Sequence, residues 1–256
     1  MKRVLILAGA AVGWLDPSAG EVARWVASRV GADNVFVLGT MELATAQWSH
    51  RIVDGDASTT IRLHNGTTVN TCSVGAVLNR ANTLRSVGFA RSDEHDRAYA
   101  DAELHALFMS FLRGFTCRVI NGVDGQHARG SWSPLRWASL AHRCGIATRT
   151  ESIAIGTRLP RLREPTTEAS SGPWPTADVV VVGESAFGAS SREHARQCCA
   201  LAQLADCEVL GLKFGIGRHT ELLSVDPFAE PHGDAARAVG ELLCDRALLA
   251  SELVSS

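Results

Sequence analysis

Lysine is nearly missing from this 256-residue chain: of its 25 basic residues only Lys2 and Lys213 are lysines, and the rest are arginine. Any chemistry in the middle of the chain that needs a cation must therefore use guanidinium, a planar fork of donors and not a compact point charge. A net charge of −2 leaves no electrostatic footprint for nucleic acid or an anionic membrane. No apolar run approaches the roughly 18 residues of a membrane-spanning helix. The seven cysteines, Cys72, Cys117, Cys144, Cys198, Cys199, Cys207 and Cys244, are odd in number and contain no CxxC pair. A zinc site thus has little support, and the pattern reads as free thiols in a reducing cytoplasm. GxGxxG is also missing after the first apolar run, which disfavours a dinucleotide site.

What is present is enough apolar material, 46% of residues, to bury one large or two small cores. The run RVLILAG is continuous and apolar, the signature of a parallel strand buried on both faces and not of a signal segment with a cleavage site. Asp16, Pro17 and Ser18 then open an amphipathic helix over 21–30, and VFVLG is a second buried strand. This βαβ opening predicts an α/β fold. Residues 59–70 alternate around Asn65-Gly66, a hairpin signal that expects φ > 0 at both turn positions. AVLNR returns to the sheet, and Asn79 and Arg80 end that strand.

Asp93 or Ser92 caps a helix running to Arg113, with Tyr99, Leu104, Leu107, Phe108, Phe111 and Leu112 on its apolar face. CRVIN is a further buried strand, ending at Asn121. A helix follows over 132–144, with Pro134 in its first turn and Gly145 as its stop. Residues 160–175 hold four of the eight prolines and read as a linker. VVVVG then starts a second block, continued by helices over 192–205 and 234–249. Between those helices, LGLKFGIGRHTELLSVDP predicts two antiparallel strands joined by a glycine-rich loop.

That last stretch resembles the final strand pair of the ATP-grasp fold, in which a run "GxDh" pairs with a run ending "hEhNP", h being apolar. In that family the Asp, Glu and Asn hold Mg²⁺ ions on the ATP phosphates; the matching positions here are Lys213, Ser224 and Asp226. The resemblance extends to ATP-grasp ligases that modify ribosomal peptides, the graspetide ligases among them, through AVLNR, the helix YADAELHALFMSFL and CRVIN. It continues through Asn121, Leu140, Ala141, Gly145 and Thr150, with Pro134 at the family's lysine position and Arg136 the nearest cation. VVVVGESAFGASS resembles a strand whose basic position falls on Asp178.

The resemblance implies a pre-ATP-grasp domain with a parallel or mixed sheet (1–122), a linking helix and Pro-rich connection (123–177), and a truncated α+β ATP-grasp domain (178–256). It implies a degenerate, non-catalytic protein without metal or cofactor, binding a peptide or serving a modifying enzyme as partner, with a homo-oligomer left open. Ligand binding is expected where Asn79, Arg80, Asn121 and Arg136 meet at the carboxyl ends of parallel strands. Lys213 is expected to pair with Asp226 in the space of the lost metal. Two alternatives stand beside this. One is an ATP-dependent carboxylate–amine ligase using Mg-ATP, with Arg136 and Arg218 replacing lysines. The other is a serine hydrolase in which Ser185, Asp226 and His232 follow the Ser, Asp, His order.

Overall fold

The computed structural model describes residues 2–9, 16–89, 91–124, 127–128, 132–148, 176–188, 191–215 and 220–252. The expected linker at 160–175 and Arg218 lie outside them. Strands β1 (Arg3–Leu7), β2 (Val35–Leu38), β6 (Val74–Asn79) and β7 (Val119–Ile120) form a parallel sheet in the order β2-β1-β6-β7. Val4 to Leu7 and all six residues of β6 are buried, as continuous apolar runs in a parallel sheet demand.

Helix α1 (Pro17–Val30) starts at Asp16, whose carboxylate accepts from the amides of Ser18 and Ala19, and stops at Gly31 with φ 88°. It lies on one face of the sheet beside the C-terminal helix α6 (Asp234–Glu252). The two helices meet closely at Gly240, where a Cβ would stand 2.5 Å from the ring of Trp25. The other face carries α3 (Glu94–Arg113), capped by Asp93, and a small sheet of β3 (Gln47–Val53), β4 (Asp56–Arg62) and β5 (Thr68–Asn70). Helix α2 (Thr40–Thr45) leads into β3.

Two turns in this small sheet differ in kind. Asp54 and Gly55 both take positive φ, 53° and 90°, the geometry of a two-residue hairpin turn. At Asn65-Gly66 only Gly66 does, at 82°, which corrects the expectation of a left-handed pair there. Tyr99 also departs from expectation: it is exposed, because the first turns of α3 extend beyond the sheet.

A short hairpin, β8 (Val123–Asp124) and β9 (His127–Ala128), precedes α4 (Pro134–Arg143). The second sheet is antiparallel, in the order β11-β10-β12-β13, from β10 (Thr176–Val182), β11 (Ser185–Gly188), β12 (Val209–Gly215) and β13 (Glu221–Asp226). Helix α5 (Ser191–Leu204) joins β11 to β12 and packs with α4 over Leu210, Leu212 and Phe214. The opposite face of this sheet meets α6 through Val180, Val182, Phe187 and Val209. One apolar cluster thus runs from the parallel sheet through α6 to the antiparallel sheet.

Candidate functional site

Three of the residues singled out in the sequence converge. Asn79 and Arg80 end β6, and Asn121 follows β7, so the parallel register of those neighbours carries all three to one sheet edge. All are buried, at 0%, 4% and 4% exposure. Asn79 donates from Nδ2 to the Asn121 carbonyl at 3.2 Å and accepts from the Ala81 amide at 3.1 Å. Asn121 sits at φ 54°, a left-handed conformation that asparagine tolerates better than most residues.

Arg80 meets a partner that the sequence had shown only as a helix start. Its Nη1 donates to Asp16 Oδ2 and to Ser18 Oγ, while Nε donates to the Ala229 carbonyl at 3.0 Å and Nη2 to the Phe228 carbonyl at 3.3 Å. Asp16 is 7% exposed, and its other oxygen is filled by Ser18 Oγ and two helix amides. Burial acts to raise the Asp16 pKa, but the hydrogen bonds from Arg80 and Ser18 and the Arg80 charge outweigh it, and the net shift is downward.

Asn121 extends the same junction. Its carboxamide accepts from the Val209 amide at 3.2 Å and donates to the Val209 carbonyl at 2.8 Å, two bonds of the kind a neighbouring strand would make. The amide nitrogen also donates to the Pro227 carbonyl at 2.5 Å. Three successive carbonyls after β13, those of Pro227, Phe228 and Ala229, are thus held by Asn121 and Arg80. The arrangement ties the two sheets together, and its buried donors and acceptors are matched to the protein itself.

The other candidate locus is the group of positions on the antiparallel sheet that its covering helices leave exposed, Lys213, Ser224 and Asp226. Lys213 lies opposite Asp178 on β10 and Ser224 on β13, while Asp226 lies opposite Gly211. Lys213 Nζ is 3.9 Å from Asp178 Oδ1, with both side chains at least half exposed. Asp226 Oδ1 instead accepts from the Phe228 amide at 2.8 Å. The expected Lys213–Asp226 pair is therefore replaced by Lys213–Asp178. The register explains it: the β10 partner faces Lys213 directly, whereas Asp226 is displaced along the strand by two residues.

This donor set does not fit Mg²⁺, which takes hard oxygen ligands in near-octahedral geometry. The three positions hold one carboxylate, one hydroxyl and an ammonium that would repel the ion. Among the described residues no cluster of three or more His, Cys, Asp or Glu side chains is placed to hold a metal. Because the Lys213–Asp178 pair is exposed, Lys213→Ala is expected to change stability by less than about 0.5 kcal/mol in urea denaturation.

Arg136 belongs to a different neighbourhood from the other three ligand candidates. It stands on α4, which packs against α5 and β13, and its guanidinium lies 3.4 Å from the centroid of the Trp132 ring. The hydrolase residues are not brought together. Ser185 follows a two-residue turn and pairs with Val182 in a β-hairpin, not in a strand-to-helix elbow. Strands β11 and β13 are opposite edges of the sheet, three strand spacings apart, so Ser185 and Asp226 are separated by at least about 14 Å. His232 faces Glu21 at 3.4 Å and Glu230 at 4.0 Å.

A cavity of about 280 Å³ opens at the free edge of β7, lined in part by Arg113, Cys117, Arg118, Asn121, Asp206 and Glu208. Its charges largely offset one another: Arg118 pairs with Asp206 at 3.4 Å and Glu208 at 3.5 Å, and Glu208 also pairs with Arg246. Burial pushes the Cys117 thiol up to about 11, so it is not poised as a nucleophile.

No protein-family profile matches the sequence, and no curated protein does. Solved structures do match. The macrocyclase MdnC of Microcystis aeruginosa MRC, bound with the precursor peptide MdnA, is 12% identical with a TM-score of 0.69, the match covering 95% of this chain and 99% of that one. The macrocyclase MdnB of the same organism is 15% identical with a TM-score of 0.66, over 95% and 99% of the two chains. A RiPP-associated ATP-grasp ligase of Chryseobacterium gregarium, in complex with ADP and a leader and core peptide, is 12% identical with a TM-score of 0.66, over 96% and 97%. At these identities the likeness establishes the fold: a parallel-sheet region and antiparallel sheets arranged as in ATP-grasp ligases of peptide modification, over nearly the full length.

Proposed function

We propose that this chain uses the ATP-grasp fold to bind a peptide without activating a carboxylate, as the recognition subunit of a peptide-modifying system. The observation that carries the reading is Lys213, which lies across from Asp178 and Ser224 in the sheet, its ammonium 3.9 Å from the Asp178 carboxylate, at a position where the resemblance places a metal-binding carboxylate. Acyl-phosphate formation depends on neutralising the triphosphate, and removing one such electrostatic contact costs about 10²–10³ in rate. Here the three metal positions hold Lys213, Ser224 and Asp226, and the family's lysine position holds Pro134. Peptide recognition is supported from the side of the fold: MdnC and the Chryseobacterium gregarium ligase were both solved with peptides bound.

Thermal unfolding with millimolar Mg-ATP, Mg²⁺ alone and ATP alone tests the loss of nucleotide chemistry. A ligand at 100 times its Kd stabilises the native state by about 2.7 kcal/mol, a readily visible midpoint shift. We expect none. A shift that needs Mg²⁺ and ATP together overturns the reading and restores the ligase. Fluorescence anisotropy with labelled short peptides encoded beside the gene tests the binding half, and is expected to show saturable binding without nucleotide.

A further inference from the structure

We propose that the cavity beside β7 is a binding site for a carboxylate monoanion carried on a short apolar chain, with Arg113 as its anchoring cation. The cavity lies where three parts of the chain meet: the last turn of α3, strand β7 with the residues on either side of it, and the turn between α5 and β12. Its volume of about 280 Å³ is that of about nine waters at their liquid volume, so it takes a molecule of about that many non-hydrogen atoms.

The charges on the walls set the sign of the ligand. They are Arg113, Arg118, Asp206 and Glu208. Both acids are already engaged: Arg118 lies 3.4 Å from Asp206 and 3.5 Å from Glu208, and Arg246 holds the other Glu208 oxygen. Arg113 is the charge left over. It is exposed, and among the described residues its guanidinium pairs with no acidic side chain and donates no hydrogen bond. Its place in the last turn of α3 suits the negative end of the helix dipole, which holds the cation there without using its donors. The field further inside has the same sign: Lys2 and Arg246 both favour the anion of the Cys117 thiol, against its burial.

A planar guanidinium offers a carboxylate two parallel hydrogen bonds. One surplus cation matches one carboxylate. A phosphate dianion would keep a second negative charge beside Asp206 and Glu208, which repel it. A cationic ligand fits no better, because the two acids on the wall are already shared between Arg118 and Arg246. Leu112, Val119 and Val123 supply the apolar wall for the chain that carries the carboxylate. Two sources present this chemistry, a free short-chain acid and the glutamate side chain of a bound peptide. The second would give the cavity a part in the peptide recognition proposed above, but the site stands without that reading.

Chemical-shift titration of the isotope-labelled full chain tests this. The probes are butyrate as the free acid, butyramide as its neutral counterpart, the α-amide of N-acetylglutamate as the peptide-like form, and inorganic phosphate. Butyrate is expected to move the amide signals of Val119 and Asp206 saturably, in the millimolar range, while butyramide leaves them in place. Arg113→Gln should weaken butyrate binding at least tenfold. Because Arg113 is exposed and pairs with no acid, the variant should keep the wild-type Tm, which separates a lost ligand contact from a lost fold. Saturable binding of the acetylglutamate amide assigns the peptide source, and binding of butyrate alone assigns the free acid. The proposal is overturned if neither acid binds, if butyramide moves the signals as far as butyrate, or if Arg113→Gln keeps the wild-type affinity. Phosphate binding more tightly than butyrate overturns it as well.

Discussion

Replacing Arg80 by methionine is expected to lower the free energy of unfolding by about 3–5 kcal/mol, measured by urea denaturation at neutral pH. Methionine fills much of the same space, so the loss is electrostatic and not a cavity. It strands the Asp16 carboxylate, 7% exposed, against an apolar neighbour, and frees the carbonyls of Phe228 and Ala229. The companion variant Arg80→Met with Asp16→Asn separates these effects. Asparagine caps a helix about as well as aspartate, so α1 keeps its start while no buried charge is left unpaired. The double variant should recover much of the lost stability, because a buried ion pair is worth little against a neutral replacement.

The pH dependence has a definite sign. In the wild type the Asp16 pKa is lowered on folding, so the group contributes stability above the usual carboxylate range and loses it as pH falls below about 4. Without Arg80 only burial and the local hydrogen bonds remain, and burial raises the pKa. The gap between wild type and Arg80→Met should therefore narrow as pH falls and Asp16 in the variant takes up a proton. A gap that stays constant down to pH 4 would mean that the damage lies in packing and not in the stranded charge.

The elements that could be read from sequence are those whose partners are local or whose composition leaves one choice. Continuous apolar runs gave β1, β2 and β6, Asp93 gave the start of α3, and glycines between apolar runs gave the β12–β13 pair. The stretch from α2 through β3 escaped notice, because QWSHRIV is half polar and occupies an edge, where burial imposes no strict alternation. Its Asp54-Gly55 turn was nevertheless a legible hairpin signal. At the site, position was legible and role was not. Asn79, Arg80 and Asn121 end neighbouring parallel strands, which predicted their convergence. Their partners are main-chain carbonyls after β13 and a helix cap after β1, and no side-chain pattern announces those contacts. The Lys213 pairing failed for a related reason: charge signs can be read along a strand, but which neighbour faces Lys213 depends on the register of three strands at once.

Substitution of Asn121 by aspartate should be about as damaging as substitution by glycine, although aspartate is the closer match in shape. Aspartate keeps the acceptor for the Val209 amide, yet turns the group that donates to the Val209 and Pro227 carbonyls, at 2.8 and 2.5 Å, into a negative oxygen facing both. An unpaired buried charge costs about 3–5 kcal/mol. Glycine deletes the three bonds, at about 1–3 kcal/mol for each buried group that water cannot reach, but accepts φ 54° without strain. Alanine loses the same bonds and adds about 1–2 kcal/mol for the left-handed backbone, so the alanine–glycine difference isolates conformation from hydrogen bonding. The physical point concerns where the break occurs. Because Asn121 supplies two strand-like bonds between the parallel and antiparallel sheets, its loss should uncouple them before either melts. Hydrogen exchange is expected to show the Val209 amide losing protection in Asn121→Gly while amides inside β1 and β6 keep theirs. Equal loss of protection in all three strands would show that the sheets fold as one unit and that Asn121 only adds to its total stability.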